Sequence, residues 1–114
     1  MPYIQLKTTA GVSAEKKTAL KAAFGKAIES FPGKNENWLM VNIEDNKSMW
    51  FRGDASADSA MVDVALLGAV SAEGSRRMTA ELCGILHTML GIAPDRVYVK
   101  YTGYEHWGWN GGNF

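Results

Sequence analysis

Two stretches of the chain repeat the same order of apolar positions, 58 residues apart. Each stretch begins with a period-two alternation, in which Ile4 and Leu6 correspond to Val62 and Val64. A helical spacing follows, and it matches between the halves as Leu20, Phe24, Ala27, Ile28, Phe31 and Met78, Leu82, Ile85, Leu86, Met89. A second alternation then pairs Leu39 and Val41 with Val97 and Val99. Period two is typical of strands, and the 4-3-1-3 spacing is typical of one helix face, so each half is predicted to be strand, helix, strand.

The predicted fold is α+β: two β-α-β repeats that form a four-stranded sheet with both helices on one face. We expect a single domain over residues 1–114, with pseudo-repeats at 2–58 and 60–114. Ser13 is a predicted helix N-cap, and either Ser71 or Ser75 serves the second helix. Gly33 and Gly91 stand where a helix would need a left-handed residue. A short strand is expected at 49–51, and the tail 102–114 is expected to add a small terminal strand.

The strand alternation defines two faces of the sheet. The apolar face, predicted to receive the helices, comprises Ile4, Leu6, Leu39, Val41, Ile43, Val62, Val64, Leu66, Val97 and Val99. The opposite face carries Gln5, Met40, Asn42, Met61, Asp63, Ala65, Tyr98 and Lys100. This second set is too apolar for a solvated surface and too polar for an ordinary core, so we expect it to pack against other subunits.

Composition narrows the functional classes. Acidic and basic residues balance at twelve each among 114, which gives no electrostatic footprint for nucleic acid or an anionic membrane. No signal-peptide core and no membrane-length apolar run is visible, so we expect a cytoplasmic protein and leave secretion without a signal open. Cys83 alone forms no disulfide within one chain, and two histidines, His87 and His106, without carboxylates at ligand spacing predict no metal site.

Pro2 is the first candidate for chemistry. Proline after Met1 favours removal of the methionine, which leaves a secondary amine at the chain terminus. An α-amino group has a pKa of about 7.7–8.0, and burial or a nearby cation such as Lys34 lowers it further. A base whose pKa lies near neutral pH suits the transfer of a carbon-bound proton. Many unrelated proteins also begin Met-Pro, and a retained Met1 would make the Pro2 nitrogen an amide without basicity.

Several motifs together resemble the macrophage migration inhibitory factor family, which includes phenylpyruvate and D-dopachrome tautomerases. They are Pro2 before a short strand, Gly33-Lys34 after the first helix, residues 93–99 with the sequence APDRVYV, and residues 108–114 with the sequence GWNGGNF. The resemblance covers the whole chain. It implies a tautomerase-type fold assembled as a homotrimer, and the half-apolar second face agrees with such an assembly.

The resemblance also implies roles for individual residues. Pro2 corresponds to the catalytic amino-terminal proline, Lys34 to the lysine that binds the substrate carboxylate, and Leu67 to a residue whose backbone amide helps bind substrate. Tyr98 corresponds to a pocket tyrosine from a neighbouring subunit, and Trp38 stands where tyrosine is frequent. The remaining substrate-binding candidates are Trp107, Trp109, Phe114 and Lys100. On their own, such aromatic residues are more often core or interface residues.

Two departures from the family pattern concern Lys100 and residues 59–62. Lys100 replaces an asparagine, so it either adds a second cation to the pocket, points into an interface or pairs with an acid. Residues 59–62 read SAMV where the mammalian cytokine has a CxxC pair, so thiol-redox activity does not carry over.

The predicted function is keto–enol isomerisation of a phenylpyruvate-like α-keto acid, with Pro2 as general base and no cofactor. A cytokine-like signalling or host-modulating protein that binds a protein receptor is the alternative from another class. Another tautomerase-superfamily reaction, such as isomerisation of an unsaturated dicarboxylate or dehalogenation of a small acid, is the enzymatic alternative.

Overall fold

The computed structural model describes residues 1–114 as four long strands, two helices and a small terminal hairpin. The strands are β1 (Pro2–Thr8), β2 (Met40–Glu44), β3 (Ala60–Leu67) and β4 (Val97–Tyr104), and the helices are α1 (Ala14–Ala27) and α2 (Ala72–Leu90). Short 3₁₀ turns lie at Ile28–Ser30, Glu36–Trp38 and Pro94–Arg96. The hairpin consists of β5 (Gly108–Trp109) and β6 (Gly112–Asn113). The predicted α+β class and the order of the elements are therefore confirmed.

The strands form one mixed sheet in the order β2-β1-β3-β4. Each β-α-β repeat contributes a parallel pair, β1 with β2 and β3 with β4. The two repeats join through the antiparallel pair of β1 and β3, whose register runs from Pro2 opposite Leu66 to Thr8 opposite Ala60. Because β1 and β3 are central, both have hydrogen-bonding partners on each side.

Both helices pack on one face of this sheet, as the alternation predicts. Ile4, Leu6 and Val62 are fully buried beneath Leu20 and Phe24 of α1. From α2, the fully buried residues are Met78, Leu82 and Leu86. The outer strand residues Val41, Ile43, Val97 and Val99 are only partly buried against this core, because β2 and β4 are edge strands. Neither helix is long and apolar enough to cross a membrane.

The helix caps follow the sequence prediction closely. The Ser13 side chain accepts a hydrogen bond from the Lys16 amide, and Ser71, rather than Ser75, accepts one from the Gly74 amide. Gly91 ends α2 in the left-handed conformation, with φ of 70°. Gly33 is also left-handed, with φ of 80°. It is not the helix cap, however, because α1 ends at Ala27 and continues into the 3₁₀ turn.

The connection over residues 46–58 contains no regular strand, so the strand expected at 49–51 is wrong. Only an isolated bridge joins Phe51 to Asp54 across a tight turn. Arg96 fixes this loop instead, because its guanidinium donates hydrogen bonds to the carbonyls of Asp54, Ala57 and Asp58. The tail does form strands, but β5 and β6 pair with each other and remain outside the main sheet.

The sheet face opposite the helices is uncovered within one chain and is chemically mixed. Met40 and Tyr98 are exposed, at 67% and 64%. Polar neighbours on the same face bind one another: Gln5 and Asn42 both donate to the Glu44 carboxylate. The composition of this face matches the prediction from strand alternation.

Gly103 of β4 is predicted to tolerate no side chain. A Cβ at this position would overlap the Gly68 carbonyl oxygen, which belongs to backbone and cannot rotate away. We expect Gly103→Ala to lower the free energy of unfolding by about 1–3 kcal/mol, the usual range for overpacking. The matched control is Gly84→Ala, in the interior of α2 with nothing within 4 Å of the new Cβ. It should raise stability by about 1 kcal/mol, because alanine favours helix. Denaturant unfolding of both variants measures the two changes in the free energy of unfolding. Equal changes would contradict the predicted overlap at Gly103.

Candidate active site

A cavity of about 880 Å³ opens at the amino end of β1. That volume lies within the usual range for sites that bind a small organic molecule. Its lining comes from the chain terminus, the 36–40 segment, β3 and the tail: Met1, Pro2, Tyr3, Asn37, Trp38, Leu39, Met40, Ala65, Tyr104, His106, Trp107, Gly108 and Trp109. No aspartate or glutamate is among these residues. The cavity is therefore predominantly apolar and aromatic, with no negatively charged side chain in its lining.

Pro2 is buried in the lining of this cavity. It is the first residue of β1 and lies opposite Leu66 of β3, while Tyr3 pairs with Met40 of β2 on the other side. Because β1 is paired on both sides from its first residues, its amino end has little freedom to move. The sheet thus fixes the position of the Pro2 nitrogen, which the resemblance implies to be the base.

Lys34 and Leu67 adjoin the same chain terminus. The Lys34 ammonium donates to the Leu67 carbonyl at 2.9 Å, and the Leu67 amide donates to the Met1 carbonyl at 3.0 Å. Burial, and after it the nearby Lys34 charge, lowers the pKa of the terminal amino group of Met1 from its usual value. The terminus therefore lies in surroundings that disfavour a protonated amine.

The predicted aromatic residues form one cluster beside the cavity. The Trp38 ring meets Trp109 edge-on at 5.2 Å and Phe114 at 6.2 Å, and Trp109 stacks on Phe114 at 5.9 Å. Trp107 packs against Tyr104 at 6.0 Å. Trp38, Trp107 and Trp109 line the cavity directly, whereas Phe114 is outside the lining and contacts Trp38 and Trp109. The structure thus brings together all four aromatic residues that the 36–38 turn and the tail were expected to supply.

Tyr98 and Lys100 do not reach this cavity within one chain. Tyr98 pairs in register with Met61, five residues along β3 from Leu66. At about 3.3 Å per residue, that separation is roughly 16 Å. The Tyr98 ring packs on Phe51 instead, at 5.2 Å. Lys100 forms an ion pair with Asp63 at 3.2 Å, which is one of the alternatives left open by the sequence.

Sequence reasoning missed Met40 and Tyr104 as lining residues, and it considered His106 for the pocket without including it among the site residues. Met40 was placed on the outer sheet face, and only the register with Tyr3 shows that it borders the cavity. Tyr104 lies at the end of β4, opposite Leu67. His106 adjoins the aromatic tail in sequence, but adjacency alone does not show which way the chain turns.

The model of the family described as macrophage migration inhibitory factor (MIF) matches residues 1–114. Macrophage migration inhibitory factor of Rattus norvegicus is 32% identical over 84 residues, which cover 72% of each chain. The crystal structure of Leishmania major MIF2 superposes with a TM-score of 0.91 at 30% identity, covering 100% of this chain and 97% of that one. The structure titled Pt0534 inactivated by 2-oxo-3-pentynoate has a TM-score of 0.83 at 22% identity, covering 96% and 93%.

The fold and the amino-terminal cavity are those of a small α+β protein built from two β-α-β repeats. Because the family model matches from the first residue to the last, the chain belongs to the macrophage migration inhibitory factor family. The resemblance drawn from the sequence is confirmed.

Removing the Lys34 charge should raise the pKa of the terminal amine. Burial would remain the larger cause of its depression, so we expect Lys34→Gln to restore the usual pKa only in part. The rate of reductive methylation at the terminus, followed against pH, measures this pKa. Lys26→Gln, in the last turn of α1, is the matched control for the loss of one positive charge. An unchanged pKa in Lys34→Gln would show that the Lys34 charge does not act on the amine.

Proposed function

We propose that the chain is a tautomerase that interconverts the keto and enol forms of a phenylpyruvate-like α-keto acid, with the Pro2 amine as general base. The observation that carries the proposal is the buried position of Pro2 in an aromatic cavity, next to the Met1 amino group, whose pKa is lowered by burial and by Lys34. We infer that the Pro2 amine left by removal of Met1 meets similar surroundings. An amine that is neutral near pH 7 accepts a proton without first losing one. This form of the amine is the one that the reaction requires.

The proposed steps use the residues around the chain terminus. Lys34 binds the carboxylate of the substrate, and the tryptophan rings contact its aryl ring. The neutral Pro2 nitrogen takes a proton from the β-carbon, and the C–H electron pair forms the new carbon–carbon double bond as the carbonyl electrons move to oxygen. The Pro2 ammonium then returns a proton to that oxygen, directly or through water, which gives the enol and restores the neutral amine. Once Met1 is removed, the Leu67 amide loses its present acceptor and can donate to a substrate oxygen. A preorganised donor of this kind stabilises the charge that develops on an oxyanion.

Chemical precedent comes from the Pt0534 structure, which was obtained after inactivation by 2-oxo-3-pentynoate, a 2-oxo acid. A protein with this fold therefore reacts with an α-keto acid. The proposed reaction moves a proton between carbon and oxygen of one substrate through the Pro2 amine, with no net change of oxidation state, so it needs no cofactor.

A signalling role is the second candidate. The curated relatives from rat, mouse and frog are named macrophage migration inhibitory factor, a name that describes an effect on cells rather than a reaction. The partner in that case would be a protein receptor, and the cavity would not be needed for the effect.

Acylation of Pro2 tests the tautomerase function and the signalling function together. Inserting one lysine between Met1 and Pro2 keeps every native side chain but converts the proline nitrogen to an amide that cannot act as a base. We expect kcat/KM for phenylpyruvate keto–enol exchange to fall by at least about 10²-fold, the lower end of the usual contribution of a general base. Intact mass establishes the terminus of each preparation.

Pro2→Ala is the matched control, because methionine removal still leaves a free amine, and it should retain part of the activity. Undiminished exchange in the acylated chain would reject Pro2 as the base. Full signalling by that same chain, with exchange lost, would favour the receptor function.

We further propose that the chain assembles as a homotrimer through the mixed sheet face. Met40 and Tyr98 are exposed there in one chain, and Tyr98 lies far from the Pro2 cavity that it is expected to complete from a neighbouring subunit.

Light scattering should give three times the chain mass of 12.5 kDa. Met61→Lys, which places a charge on the sheet face, should reduce that mass. Thr88→Lys, on the exposed side of α2, should leave it unchanged. A monomeric mass for the native chain would exclude this assembly.

A further inference from the structure

His106 belongs to a short segment that is fastened at both ends. Before it, the Tyr104 carbonyl accepts a hydrogen bond from the Gly68 amide at 2.9 Å. After it, the Trp107 carbonyl accepts one from the Phe114 amide at 3.1 Å, and the Trp107 ring packs on Tyr104. The backbone around His106 is therefore held in place, and its imidazole lines the same cavity as Pro2.

The imidazole has no polar partner within the chain. The three side chains that line the cavity and carry side-chain hydroxyl or amide groups are Tyr3, Asn37 and Tyr104, and none of them is hydrogen-bonded to His106. The lining contains no carboxylate that could pair with it. His106 is exposed to solvent, which places it at the mouth of the cavity, whereas Pro2 is buried. An imidazole offers at least one N–H donor in either charge state.

The register of the sheet places His106 near the lysine end of the cavity. Leu67, whose carbonyl binds the Lys34 ammonium, lies opposite Tyr104 in the β3–β4 pair. His106 follows Tyr104 by two residues, so their Cα atoms are at most about 7 Å apart. Lys34 is bonded to Leu67, and His106 closely follows the residue paired with Leu67, so the two side chains start from neighbouring positions at the end of β3 and β4.

We propose that His106 is a specificity-determining residue that donates a second hydrogen bond to the substrate carboxylate, alongside Lys34. The inference rests on the proposed function for the identity of the substrate. A second donor at the mouth favours an anionic acid over its neutral ester, because a hydrogen bond to a charged group is stronger than one to a neutral group. His106 acts on binding, and it leaves the proton transfer at Pro2 unchanged.

The test compares phenylpyruvate with its methyl ester. We expect His106→Ala to raise KM for phenylpyruvate by about three- to tenfold, the loss of one exposed hydrogen bond to a charged group. The kcat should stay within about twofold, and KM for the ester should not change. His106→Gln retains an N–H donor and should recover part of the discrimination. His87→Ala, on the exposed side of α2 and outside the cavity lining, is the matched control for loss of a histidine.

Binding measured by quenching of tryptophan fluorescence separates this inference from the proposed function. If native protein binds phenylpyruvate without turning it over, the proposed function fails, and the ratio of the two dissociation constants in His106→Ala still decides the role of His106. An equal increase in the dissociation constants of the acid and the ester would overturn the proposal. Weakening limited to 4-hydroxyphenylpyruvate would also overturn it, since that result would place His106 at the ring end of the substrate.

Discussion

The position of the first strand, between two partners, is the constraint on which the site depends. β1 pairs with β2 on one side and with β3 on the other, and its pairing with β3 begins at Pro2 itself. Chain termini usually fray, because nothing holds their last residues. Here the hydrogen-bonded register continues to the end of the chain, and the terminal nitrogen takes a fixed place in a cavity. A group at this terminus is therefore held as precisely as a group in the middle of a strand.

The position of the chain terminus also determines the pKa of its amine. The Met1 amine lies beside the cavity, and burial is the larger cause of its lowered pKa. Lys34 adds to the effect, because its ammonium is held by the Leu67 carbonyl, which belongs to the strand paired with β1. Lys34 itself lies in the connection between α1 and β2, so this hydrogen bond to the sheet is what keeps its charge near the chain terminus.

The repeated apolar pattern was sufficient to predict the helices, the strands and the face on which they pack, because burial in the core sets those periods. The residues of the connecting segments predicted local structure less well. Residues 49–51 have strand-forming side chains, yet Arg96, far away in sequence, fixes the loop through three carbonyls. The Met-Pro start made Pro2 a candidate base, but the roles of Lys34 and the tryptophans were identified through the family resemblance rather than through spacing. The separation of Tyr98 and Lys100 from the cavity depends on strand register, which no single segment encodes, and the position of His106 depends on tertiary contacts of the tail.

The hydrogen bond from the Leu67 amide to the Met1 carbonyl means that a newly made chain fills its own site. The first residue occupies the donor and lines the cavity, and its peptide bond removes the lone pair of the proline nitrogen from use. With Pro2 as the proposed base, translation and the onset of chemistry become separate events, divided by the hydrolysis of one peptide bond. An aminopeptidase that removes Met1 would then set the time at which the reaction can begin.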